Sequence, residues 1–321
     1  MTKDEWLVVG NGAIGLLWAS KLIELGEPVT LVHRSEQPPI SPVTVEYISE
    51  NDELLQSKYP ITFAQRSELE GKYTKVLLCT KAFDLVSAYL DIREHTKKRG
   101  LIATLCNGMG AQQDLIPHLK KHQNLWAGVT SEGALKIDSA TVKKTGRGDT
   151  YFGLLVEDEK NLFGSEFPYP NVQSENIEQR LLEKVSVNAI INPLTALFSI
   201  RNGQVLEPPI LDIFDAAVAE LASVLSDSQF KYKAYTQNTT FDSLHMRIST
   251  VARLTAMNCS SMYEDMRNAR KTENEYISGF FHRESSIPTP LQDFFYRAIN
   301  DRTHIEEHKK KLLSMYQELS A

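Results

Sequence analysis

A short apolar run from Trp6 to Val9 leads directly into Gly10-Asn11-Gly12-Ala13-Ile14-Gly15, and the hexamer opens into the helical pattern LLWASKLIELG. Pro28 to Val32 follows as a second strand-like run. Strand, glycine loop, helix and strand in that order form a βαβ unit, which constrains the fold more than any other feature here. Each glycine has a physical role in such a loop. Gly10 makes the tight turn, Gly12 lets a pyrophosphate approach the backbone, and Gly15 lets helix and strand pack closely. The helix N-terminus then offers unbonded N–H groups and the positive end of its dipole to phosphate. Gly26 stands where a helix commonly stops.

Two further apolar runs, Lys75 to Thr80 and Leu101 to Leu105, read as parallel strands, with an amphipathic helical stretch from Phe83 to Arg99 between them. From Leu125 to Val156 the pattern turns β-rich, and we expect an antiparallel extension of the sheet there. The segment 157–170, rich in charge, Pro and Gly, reads as a linker, and beyond 171 long helical patterns take over. The expected fold class is therefore α/β. An N-terminal dinucleotide-binding domain of Rossmann type, 1–170, carries a β-rich extension, and an all-helical C-terminal domain occupies 171–321. A chain of 321 residues has room for both.

Composition narrows the function. With 35 basic and 41 acidic residues the net charge is −6, so neither nucleic acid nor an anionic membrane is expected as a partner. No apolar run approaches the ~18 residues that span a bilayer. The N-terminus, acidic and then abruptly apolar, does not read as a signal peptide. Three scattered cysteines, Cys79, Cys106 and Cys259, suggest neither a disulfide framework nor a zinc site, and a reducing cytoplasm is the expected compartment. His304 and His308 sit among acids and lysines and read as a solvated face, so no metal is expected.

The end of the second strand bears on the cofactor. A site for NAD usually places Asp or Glu there to hold the ribose 2′-hydroxyl. This strand ends Val32-His33-Arg34-Ser35. A cation and a hydroxyl suit a 2′-phosphate, so NADP(H) is the expected cofactor, although a solvent-facing Arg34 is the plainer alternative.

In the helical half, Lys184, Asn188 and Asn192 recur at i, i+4 and i+8, which places an amine and two amides on one helix face. Their neighbours are mostly apolar, so the helix should be buried and its polar stripe should need partners. That spacing serves a polar bridge between helices as well as it serves a functional face. Asn192-Pro193 marks an expected break or kink. Further on, Ser261 to Glu264 and Thr272 to Glu275 fit the capping-box pattern and predict helix starts near both. Glu273 would then lie in the first turn of its helix.

GNGAIG, CTKAF, CNGMG, KVSVNAIINPLTAL and SSMYEDMRNARKTENEYISGF, in this order over roughly residues 5 to 285, resemble ketopantoate reductase (2-dehydropantoate 2-reductase). That family reduces ketopantoate with NADPH to (R)-pantoate, a step towards pantothenate and coenzyme A. The resemblance implies that Lys184 is the general acid at the keto oxygen and that Glu273 engages the substrate hydroxyl. It implies that Asn188, Asn192, Asn258 and Ser261 hold the 2-oxo acid, with Asp265 orienting Ser261. It places Lys81 and Asn107 near the nicotinamide and its ribose. The chain departs from the family pattern at Lys144, where the family has histidine, and at Asn274 and Ser278. Reduction of a different 2-oxo acid, or a silent nicotinamide-nucleotide sensor, are the competing readings; a sensor would need neither Lys184 nor Glu273. Oligomeric state is not legible, and a homodimer stays open.

Overall fold

The structure, a computed structural model, describes residues 2–34, 40–49, 53–161, 163, 165–169, 172–237 and 239–317. Ser35 and, within the linker, residues 162, 164 and 170 lie outside the described residues. By packing, the chain forms two units. One comprises Met1–Cys106 and Ala111–Ile177, the other Asn107–Gly110 and Glu178–Ala321.

The first unit contains β1 (Thr2–Val9), α1 (Ala13–Glu24), β2 (Val29–Val32), β3 (Val43–Ile48), β4 (Leu54–Tyr59), β5 (Thr62–Ala64) and β6 (Lys72–Leu78). It continues with α2 (Leu85–Ile92), β7 (Thr96–Leu105), α3 (Ala111–Leu115), β8 (Asn124–Thr130), β9 (Gly133–Lys136), β10 (Thr141–Gly146) and β11 (Thr150–Val156). Seven strands form one sheet in the order β11-β8-β7-β6-β1-β2-β5. The six from β8 to β5 are parallel, and β11 alone runs antiparallel, against β8. Strand order reverses on either side of β1, and such a switch point is where open α/β sheets bind ligands, beyond the carboxyl ends of the strands. The glycine loop leaves β1 at that point.

Two expectations are corrected here. The helix expected over Phe83 to Arg99 ends at Ile92, because Thr96 pairs with Tyr73 and draws the charged Lys97-Lys98-Arg99 stretch into β7. The β-rich stretch after Leu125 is not one antiparallel extension. β8 joins β7 in parallel, with Leu101 opposite Asn124, whereas β9 and β10 leave to form a second sheet in the order β4-β3-β10-β9.

That second sheet explains the character of α1. Gly15, Leu16, Leu17, Trp18, Ala19, Ser20 and Leu22 are all buried, far more than one apolar stripe. A helix covered all round must be packed from more than one side. α1 lies against β1 and β2 on one side and against β3, β9 and β10 on the other. Val43, Val45 and Val142 of the second sheet thereby share a core with Trp6, Trp18, Leu31, Leu77, Trp126 and Phe152. Phe152 and Phe167 stack within it, with ring centroids 4.6 Å apart.

The second unit is built from α4 (Ile177–Phe198), α5 (Leu211–Ser226), α6 (Phe241–Leu254), α7 (Ser261–Arg267), α8 (Ser278–Glu284), α9 (Pro290–Asn300) and α10 (Ile305–Gln317). α4 runs through Pro193 without the expected break. Proline removes one i to i−4 hydrogen bond. The carbonyl left without it belongs to Ala189, and Gln292 Nε2 donates to that oxygen at 3.4 Å. The backbone N–H groups of Leu291 and Gln292 are in turn held by Glu220 of α5, each at 2.8 Å. Among the described residues no helix is long and apolar enough to cross a membrane.

Candidate active site

The glycine loop has two kinds of glycine. Gly10 has φ +110°, and a Cβ there would lie 2.7 Å from the carbonyl oxygen of Cys79. A Cβ on Gly15 would overlap the carbonyl of Gly10. Both are demanded by the protein itself. Gly12 is different: a Cβ there meets nothing within 4 Å. Gly12 is also the N-cap of α1 and gives it no side-chain cap. The first N–H groups of the helix, those of Ala13, Ile14 and Gly15 among them, therefore have no intrahelical acceptor. Open space at Gly12 and unspent backbone donors together fit a bound dinucleotide phosphate.

The rest of the expected cofactor set is spread around this loop within the first unit, save Asn107. Arg34 is exposed, with Nη1 3.6 Å from Asp84 Oδ2. Lys81 precedes the 3-10 turn Ala82–Asp84 and is half-buried. Lys136 of β9, passed over in the sequence, donates from Nζ to the carbonyl of Asn11 at 2.8 Å. Lys144, at the position of the expected histidine, pairs with the buried Glu132 at 3.1 Å.

In the second unit three of the expected residues meet. Lys184 Nζ donates to Asn107 Oδ1 at 2.9 Å, and Asn107 Nδ2 donates to Glu273 Oε2 at 3.0 Å. Local backbone fixes this arrangement. Gly108 has φ +85°, and a Cβ there would overlap Tyr276. The N–H of Met109 donates to the Tyr276 carbonyl at 2.9 Å. The segment 107–110 is thus clamped against the turn that follows Glu273.

That turn corrects the expected helix start at Thr272. Glu273, with only 4 % exposure, precedes a 3-10 turn, Asn274–Tyr276, and α8 begins at Ser278. Asn274 is the reason for the tight local path. Its buried amide donates to the carbonyls of Phe295 and Tyr296, at 3.3 and 3.0 Å, and pulls the chain onto α9.

Asn188 and Asn192 follow Lys184 along α4, half-buried and buried respectively. Ser260, not Ser261, caps α7, accepting from the Tyr263 N–H at 3.0 Å. Thr195 Oγ1, on the turn of α4 after Asn192, donates to that same Ser260 oxygen at 2.7 Å. This bond fixes the start of α7 against α4 and leaves Asn258 and Ser261 exposed on either side of the cap. Asp265 does not serve Ser261. It is buried and takes Arg270 Nε at 3.0 Å.

Known proteins extend this geometry. Residues 6–157 match the sequence model of a family described as ketopantoate reductase PanE/ApbA, and residues 176–303 match that of its C-terminal part. A 2-dehydropantoate 2-reductase of Vibrio cholerae is 29% identical over 307 residues, covering 91% of this chain and 96% of the relative. One of Yersinia pestis is 32% identical over 284 residues, covering 87% of each. A PanE/ApbA family ketopantoate reductase of Ralstonia eutropha has the same fold, with a TM-score of 0.75 at 18% identity, over 96% of this chain and 100% of that one.

Proposed function

The chain belongs to the ketopantoate reductase family, and from that premise we propose that it reduces the ketone of 2-dehydropantoate to (R)-pantoate with NADPH as reductant. It is an oxidoreductase that depends on a nicotinamide dinucleotide. The observation that carries the reading to this chain's own residues is the hydrogen-bonded line Lys184–Asn107–Glu273.

When bound, the reduced nicotinamide supplies the hydride that adds to the keto carbon. The protein's share is the proton and the orientation. Negative charge develops on the keto oxygen as the carbonyl is reduced, and a donor positioned there lowers the barrier. Lys184 has the protons to give, and Asn107 holds its amine in one direction. Glu273, acceptor-only when ionised, suits the substrate hydroxyl. Asn188, Asn192, Asn258 and Ser261 offer amide and hydroxyl groups to the carboxylate of the 2-oxo acid, none of whose side chains is engaged by another described residue.

The glycine loop, with open space at Gly12 and the unspent N–H groups that open α1, supports dinucleotide binding. Arg34 at the end of β2 supports the 2′-phosphate, and with it NADPH over NADH. Arg34→Ala should then weaken NADPH roughly tenfold to a hundredfold while leaving NADH nearly unchanged, as removal of a charge-assisted contact does. No disulfide joins Cys79, Cys106 and Cys259, which suits a reducing compartment such as the cytoplasm. Steady-state NADPH oxidation with ketopantoate, run beside a panel of other 2-oxo acids, is the test. Faster turnover of another acid, or binding of NADPH without turnover of any, defeats the proposal.

A further inference from the structure

The phosphate loop carries no cation of its own. From Gly10 to Gly15 every side chain is neutral, in a chain whose net charge is −6. A dinucleotide pyrophosphate held there must find its counter-charge elsewhere or rely on backbone N–H groups alone. The second sheet brings one ammonium to this place. Lys136, the last residue of β9, is half-buried, and its Nζ donates to the Asn11 carbonyl at 2.8 Å. That uses one of its three protons. Among the described residues no carboxylate forms an ion pair with it, and Asp138 acts on it only through space. Burial, the larger influence, pulls its pKa below the ordinary lysine value. A half-buried ammonium with donors that no described protein group takes up is stabilised by an anion that arrives.

Building on the dinucleotide reading above, we propose that Lys136 is a phosphate-binding residue of the cofactor site. One N–H braces the glycine loop through Asn11, and the others face the pyrophosphate at the start of α1. The role gives the second sheet a function beyond covering α1, because β10 and β3 are what hold β9 in place. The sequence has no signal for it. Lys136 is one lysine in a short, half-buried strand, and only pairing across the sheet brings it to Asn11.

Both NADPH and NADH contain the pyrophosphate, whereas only NADPH has the 2′-phosphate, so the two cofactors separate the sources of the contact. Dissociation constants for both are measured by fluorescence titration at several salt concentrations on the unaltered chain, Lys136→Met and Lys136→Arg. Melting temperatures without cofactor are taken on the same samples. Lys136→Met should weaken NADPH and NADH alike, by about tenfold to a hundredfold, and its binding should depend less on salt. Lys136→Arg should recover most of the loss. Unchanged affinity in a folded Lys136→Met overturns the proposal. So does a loss confined to NADPH, which moves the contact to the 2′-phosphate, and so does an equal loss with unaltered salt dependence, which leaves only a brace. If the unaltered chain binds neither dinucleotide, the cofactor reading itself fails and takes this one with it.

Discussion

Lys184 Nζ donates to Asn107 Oδ1 at 2.9 Å, although Asn107 comes two residues after the end of β7, a strand of the other unit. The amide has two ends, and the second donates to Glu273. Asn107 therefore positions a cation and a carboxylate with one side chain. Asn107→Asp removes the donor and sets a carboxylate against Glu273, which repels it, while still attracting Lys184. The variant should fold and should lose about tenfold to a hundredfold in kcat, as misorientation of a reacting group does. Stopped-flow turnover on protein of unchanged melting temperature checks it. Wild-type kcat would remove Asn107 from the positioning role.

The two classes of glycine in the phosphate loop predict opposite failures. Gly12 has open space at its Cβ position, so Gly12→Val should keep the fold and its melting temperature while cofactor affinity collapses. Gly15 has none, because a Cβ would overlap the Gly10 carbonyl, so Gly15→Ala should lower the melting temperature before any ligand is added. Thermal melts and cofactor titration on both variants distinguish the two. A Gly12→Val protein that binds NADPH normally would place the nucleotide elsewhere.

The legible parts of this protein were those written in consecutive residues. Gly10 to Gly15 announces its loop because turn, phosphate approach and helix packing are all local demands. The parts that were not legible depend on partners distant in sequence. β3 pairs with β10 by setting Val45 opposite Val142, and nothing near either residue foretells the other. The alternation of buried Val43 and Val45 with half-exposed Thr44 and Glu46 was a usable strand signal, but not a signal of which sheet. Pro193 reads locally as a break, yet Gln292 supplies a donor to the orphaned Ala189 carbonyl and the helix continues. In the candidate site, helical spacing places Lys184, Asn188 and Asn192 on one face of α4, and it is the resemblance to the family that gives that face a role. That Asn107 joins Lys184 to Glu273 follows from neither, since that depends on Gly108 and Met109 docking on Tyr276. Likewise Thr272 and Glu275 have the spacing of a capping box, but Asn274 is more strongly held by α9.

Glu132 predicts a pH dependence for the first unit. Burial alone pushes its carboxyl up, but hydrogen bonds and charge from Lys21 and Lys144 outweigh burial and hold it below the usual glutamate value. A depressed carboxylate stabilises the fold fully above its unfolded pKa, about 4.3, and that contribution is lost as pH falls through the lower folded value. Melting temperature should therefore drop on acidification below about pH 4, and Glu132→Gln should flatten that part of the drop. At neutral pH the same variant should cost roughly 1–2 kcal/mol, because the two lysines are about a third exposed and water screens them. An identical acid profile in Glu132→Gln would assign the transition to other groups.

On the roles proposed for them, Lys184 and Glu273 should differ in kinetic signature, because those roles fall at different moments of the reaction. Proton donation matters only as charge grows on the keto oxygen, so Lys184 contributes mainly in the transition state. Lys184→Ala should lower kcat by about 10²–10⁴, the range for loss of a general acid, with little change in NADPH affinity. That is roughly 3–5 kcal/mol of barrier. Glu273, touching the hydroxyl of bound substrate as well, should raise KM and lower kcat together when changed to Ala. A purely structural Lys184 makes a different prediction. With Asn107 its partner, the loss would appear as a lower melting temperature and a near-normal rate in the surviving protein. Melting temperature and single-turnover rate measured on one Lys184→Ala sample separate the two. A folded Lys184→Ala that turns over near the wild-type rate ends the catalytic assignment.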